Sequence, residues 1–144
     1  MLIGVPNRPY AAALAALGSC VALAGCSLGD DEEPSPASGA AREIGRAIEE
    51  LERATRAGDW AGVCTELFSA AARERAGGTD CRRLLAETAR DVERPEIRLL
   101  SIELEEDRAR ARVRTRADGQ APVEDTVVLV REGGEWRIEA LGAG

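Results

Sequence analysis

The 144-residue chain contains no lysine and no histidine; all 19 of its basic residues are arginine. Without histidine, neither Ser69 nor Ser101 has a base to activate it, since lysine is missing too, so serine hydrolysis in its usual form is excluded. A zinc site fails on the same ground, because Cys64 and Cys81 alone cannot supply four ligands. Aromatics are nearly absent: beyond Tyr10 the chain has only Trp60, Phe68 and Trp136. That removes stacking platforms for nucleic-acid bases. The formal charge of −7 points the same way, because phosphate binding draws its affinity from a basic face. We expect no nucleic-acid partner, no metal and no cofactor. The uniform use of arginine reads as a coding bias, not as guanidinium chemistry.

The first 26 residues hold one charge, Arg8, then an apolar run from Tyr10 to Ala24, closing on Leu23-Ala24-Gly25-Cys26. The run is short of the roughly 20 residues that span a bilayer. A positive start, an apolar stretch and small residues form the pattern of an export signal. The closing tetrad resembles the lipobox of bacterial lipoproteins. The resemblance implies that Cys26 receives a diacylglyceryl group and becomes the new N-terminus after cleavage, so residues 1–25 are a signal peptide. Two or more acyl chains, palmitate among them, would hold the protein, where one gives only marginal binding. Leu17-Gly18-Ser19-Cys20 is a weaker competing site. Loss of Arg8 takes the formal charge from −7 to −8. The expected location is the extracytoplasmic face of the cell membrane.

Residues 26–39 read as an acidic tether. Asp30, Asp31, Glu32 and Glu33 run together, prolines follow, and no apolar periodicity appears. Such a segment cannot bury enough surface to offset its ordering entropy. Residues 40–144 then form one domain, roughly 105 residues and enough for one modest core.

That domain begins with helical spacing. Ile44, Ile48, Leu51 and Thr55 share a face, with Glu49–Arg53 and Glu52–Arg56 on the opposite one. Gly58 stops the helix and Asp59 caps the next, whose stripe is Trp60, Val63, Cys64, Leu67, Phe68 and Ala71. After Gly77-Gly78, a third helix carries Cys81, Leu84, Leu85, Thr88 and Val92 on one side. Cys64 and Cys81 lie on apolar faces of neighbouring helices, and in an exported protein a disulfide between them is the default. They stand 17 residues apart, too far for a catalytic Cys-x-x-Cys pair. Closing such a loop stabilises by about 3 kcal/mol in the chain-entropy model.

Past Pro95 the period becomes two. Arg108, Arg110, Arg112, Arg114 and Arg116 alternate with Ala109, Ala111, Val113 and Thr115. A turn at Glu106-Asp107 sets Glu105 opposite Arg108 and Glu103 opposite Arg110, giving cross-strand ion pairs outside. Leu104, Ile102 and Leu100 then meet Ala109, Ala111 and Val113 inside. Further turns at Asp118–Gln120 and Gly133-Gly134 place Val123, Asp125, Val127 and Leu129 on the face of Trp136, Ile138 and Ala140. Asp125 therefore points inward. It lies either at the mouth of a pocket or at a sheet end reached by water.

Three helices followed by an antiparallel sheet of four strands, closing on Gly-Glu-Trp-Arg-Ile, resembles the nuclear transport factor 2-like superfamily, a SnoaL-like, cystatin-type cone. The segment Ala57-Gly58-Asp59-Trp60 with Val63-Cys64, and Cys81 after a glycine pair, is similar to small bacterial lipoproteins of that group. The resemblance covers about residues 41–141 and implies an α+β fold in which a curved sheet wraps the helices around an apolar pocket. Some members are steroid isomerases with an acidic base and a tyrosine in the oxyanion hole. Here Asp125 can stand for the base, but no tyrosine follows Tyr10. We therefore expect no enzyme, but a binding or interaction module for an envelope protein or a small apolar ligand. The alternative is an isomerase or hydrolase that works with carboxylates and arginine in the cone pocket.

Overall fold

The computed structural model describes residues 36–142; Cys26, the leader and most of the expected tether lie outside that range. Helix α1 spans Pro36–Ala57. It starts four residues before the boundary expected at residue 40, since proline suits the first helical position and Ala40 is already buried. Its stripe is the expected one: Ile44, Ile48 and Leu51 are 0%, 1% and 4% exposed. On the outer face Arg56 pairs with Glu52 at 3.2 Å, whereas Arg53 takes Glu50 instead of Glu49. Gly58 ends the helix with φ +68, a conformation that disfavours any residue with a side chain.

The expected second helix is not continuous. Asp59 caps α2 (Trp60–Gly62) by accepting from the Gly62 N–H at 2.9 Å. A Cβ on residue 62 would sit 2.5 Å from that carboxylate, so the cap requires glycine there. A π-helical turn, Val63–Leu67, follows, closed by the Phe68 N–H donating to the Val63 carbonyl. Phe68 and Ser69 are then extended, and the Ser69 N–H donates to the Ile138 carbonyl at 2.9 Å. Ser69 Oγ in turn caps α3, Ala70–Arg75. The apolar stripe thus runs straight through a backbone break, because Phe68 and Ser69 satisfy the last strand's edge. A short 3-10 turn, Gly78–Asp80, leads into α4, Cys81–Thr88. Val92 lies beyond that helix, not on it.

Four strands follow: β1 Glu96–Glu105, β2 Arg108–Arg116, β3 Val123–Glu132 and β4 Glu135–Ala140, antiparallel in chain order. Alternation makes β2 one-faced, with Ala109, Ala111 and Val113 buried while the arginines between them are exposed. The register at the first turn is as expected, Glu105 opposite Arg108 and Glu103 opposite Arg110. The ion pairs differ, however. Arg108 reaches Glu139 at 2.6 Å, Arg112 and Arg114 share Glu124, and Arg116 holds Glu96. Arg114 and Arg116 pair with the residues directly opposite them, Glu124 and Glu96, whereas Arg108 and Arg112 use arginine's length to reach carboxylates that do not face them.

Leu100 does not face Val113. A bulge between Leu99 and Ser101 puts Leu99 there instead and leaves Leu100 39% exposed. The extra residue turns Ile97 and Leu99 toward the core, which a regular strand would have denied them. On the other hairpins Asp125 faces Val113, and Leu129 faces both Ala109 and Ile138, as expected. A second bulge moves Ala140 opposite Val128, away from the face of Ile138.

Candidate functional site

The core is not filled to both ends. The α1 stripe lies against β1 and β4, and Ile44 and Ile48 belong to one buried cluster with Leu129 and Ile138. Toward the other end, the inner faces of β2 and β3 draw away from α2 and α4 and leave a cavity of about 350 Å³. Trp60, Val63 and Leu85 form its helical wall; Val113, Val123 and Val127 form its sheet wall. Its size lies in the ordinary range for small-molecule sites, roughly 300–1,000 Å³.

The helical wall is held covalently. Cys64 in the π-turn and Cys81 at the start of α4 form a disulfide, with Cα atoms 6.2 Å apart. The sequence had made this pair the default, and the distance suits it. Cys64 adjoins Val63, and α4 carries Leu85 and Thr88 one and two turns on, so the bond joins the two helical segments lining the cavity. The rim is tied as well. The Asp118 N–H donates to the Glu93 carbonyl at 2.9 Å, and Arg94 pairs with the Asp118 carboxylate. These contacts join the β2–β3 loop to the segment entering β1.

Most polar groups on the cavity wall already have partners. Thr55 and Thr88 donate to the Leu51 and Leu84 carbonyls at 2.7 and 2.8 Å. Thr115 bonds the Val123 carbonyl at 3.4 Å. Glu96 and Arg116 form a two-point pair, Nε to Oε2 at 2.8 Å and Nη2 to Oε1 at 3.1 Å. The Arg116 hydrogen bond holds the Glu96 carboxyl below its ordinary value despite some opposition from desolvation. Asp125 differs: half-buried and lining the cavity, it has no hydrogen-bond or ion-pair partner among the described residues. Gly142 lies beside it, where a Cβ would come within 3.7 Å of its oxygen.

Of the residues singled out from sequence, Asp125 lines the cavity, Cys64 and Cys81 join two segments of its wall without lining it, and Cys26 lies outside the described range. Trp60 as cavity wall and the Glu96–Arg116 pair were missed. An unbulged register sets Ile97, not Glu96, opposite Arg116, so nothing in the alternation points to that pair. Trp60 carried a signal, since an indole at the first turn of a capped helix is badly placed for full burial.

No family model matches the chain, and no curated protein matches it in sequence. Solved structures do. A nuclear transport factor 2-like protein of unknown function from Silicibacter pomeroyi superposes with a TM-score of 0.55 at 19% identity, covering 73% of this chain and 94% of that one. The domain has a nuclear transport factor 2-like fold. A nuclear transport factor 2-type chain carrying five substitutions gives 0.53 at 22% identity, over 75% of this chain and 99% of its own length. At these identities the likeness concerns the fold, and function has to be argued from the cavity itself.

Proposed function

We propose that this chain is a lipid-anchored extracytoplasmic protein whose cone pocket binds a small apolar ligand without transforming it. The observation carrying the binding half is the cavity itself, about 350 Å³, apolar on both walls and cross-braced by the Cys64–Cys81 bond. An open apolar space of that size costs packing energy in a small domain, which favours a use for it.

The non-catalytic half rests on the inventory of groups. Acid–base work on a glycoside or similar substrate uses two carboxylates in different protonation states. Here Glu96 is committed to Arg116, which leaves Asp125 alone. An isomerase would also need a donor for the developing oxyanion. The threonine hydroxyls on the wall already donate elsewhere and no tyrosine follows Tyr10, so among the described residues the neutral donors left on the lining are the Trp60 indole and the Gln120 amide, the latter on the exposed β2–β3 loop. The anchoring half rests on the Leu23–Cys26 tetrad after its apolar run. No helix among the described residues is long and apolar enough to cross a membrane.

Native mass spectrometry of the chain recovered from bacterial envelopes tests the binding half. One small apolar molecule should be carried by the protein, and should be recovered unchanged after incubation. A protein that stays empty with every apolar compound offered contradicts binding, and a converted compound contradicts the non-catalytic reading. Fractionation with a labelled acyl donor tests the anchor: Cys26→Ala should lose both acylation and membrane retention. A variant that is still acylated moves the site to Cys20.

A further inference from the structure

We infer that the pocket selects apolar molecules that carry an amine, with Asp125 as the counter-ion. The inference rests on the pocket-binding reading above and adds to it the chemical class of the ligand.

The cavity lining contains three ionisable side chains: Glu96, Arg116 and Asp125. Two of them neutralise each other, since Arg116 presents both Nε and Nη2 to the two oxygens of Glu96. Its guanidinium is committed and does not answer Asp125. The third, Asp125, has no ion-pair partner, and no other cation among the described residues lines the space.

Position makes that charge matter. Asp125 stands on the inner face of β3, directly across the ladder from Val113, which is 1% exposed. Val123 and Val127 flank it on the same face and line the same cavity. A ligand filling the space displaces water from the carboxylate, and an unpartnered buried charge is costly. A neutral apolar ligand leaves that cost standing, and an anionic one adds repulsion. An ammonium group removes it through a charge-assisted hydrogen bond in surroundings of low polarity, where such bonds are strongest. Among the described residues two neutral polar groups remain on the lining, the Trp60 indole N–H and the Gln120 amide on the exposed β2–β3 loop, and neither carries a charge.

Three compounds of one shape separate the outcomes: 1-adamantanemethylamine, 1-adamantanemethanol and 1-adamantanecarboxylic acid, titrated calorimetrically into the purified chain at neutral pH. The amine should bind about tenfold or more tightly than the alcohol, with the acid weakest, as expected for one charge-assisted hydrogen bond. Asp125→Asn should abolish the amine's advantage over the alcohol, and a circular dichroism spectrum and melting curve that match the unaltered chain show that the variant is folded. Equal binding of amine and alcohol to the unaltered chain overturns the inference and leaves the pocket reading intact, Asp125 then being a solvated residue at the mouth. A preference for the acid overturns it as well. Failure of all three to bind at the cavity removes the pocket reading, and the inference falls with it.

Discussion

Helix α1 meets the sheet through Ile44, Ile48 and Leu51, all nearly inaccessible, against Ala109, Ala111 and Leu129. Helix α4 faces the same sheet across the cavity and buries only Cys81; Leu84, and Val92 just beyond the helix, are each 37% exposed. The first helix is held by dispersion and water exclusion over a long stripe. The second packs more thinly, through Leu85 and against α2, and is bonded to Cys64. Helix α1 lies directly against β1 and β4, while the space in front of α4 is kept open. A wall facing an open cavity has few apolar partners, and a covalent link replaces the packing it lacks.

That contrast can be broken in measurable ways. Ile48→Ala should destabilise the domain most, by about 2–5 kcal/mol, because a packed core leaves a cavity behind; urea denaturation measures it. Reduction of the disulfide should cost less, about 3 kcal/mol or below in the chain-entropy model. Its signature should also be local. Amide exchange should accelerate first in α4 and the π-turn, while α1 and β2 stay protected. Uniform acceleration would mean that the two regions are a single cooperative unit. Leu84→Ala should change stability by less than about 1 kcal/mol, as an exposed position does.

The smallest expected effect concerns the rim. Glu96 titrates below its ordinary value of 4.5, first because of the Arg116 hydrogen bond. Its contribution to stability is therefore present above the unfolded value and fades as pH falls through the folded one. Solvent surrounds the pair, so the stability change is slight, but the titration itself can be followed by carboxyl NMR. Arg116→Gln should move the Glu96 midpoint upward. An unmoved midpoint would mean that the two-point pair does not persist in solution.

The same contrast divides what was legible in the sequence from what was not. The α1 stripe and the hairpin registers could be read because each rests on a short-range period or a turn of fixed length. Gly133-Gly134 alone sets Leu129 opposite Ile138, and from there Asp125 follows to the inner face. The Leu99–Leu100 bulge could not be read, because both residues are apolar and alternation offers no choice between them. The Glu96–Arg116 pair was lost with it. Likewise the break at Phe68–Ser69 depends on hydrogen bonds to β4, some seventy residues later in the chain; within the helix pattern nothing announces it. Local periods show in the sequence. Features fixed by distant partners do not.

The proposed function requires that the cavity between α4 and the inner sheet face take a ligand. Methyl NMR during a titration with 1-adamantanemethanol tests it most directly. Binding should give saturable shifts confined to methyls that line the cavity, among them Val63, Leu85, Val113, Val123, Val127, Leu51 and Ile97. Val128, paired on the opposite face of β3, should not move. Shifts spread over the outer sheet face, or none that saturate, would contradict it.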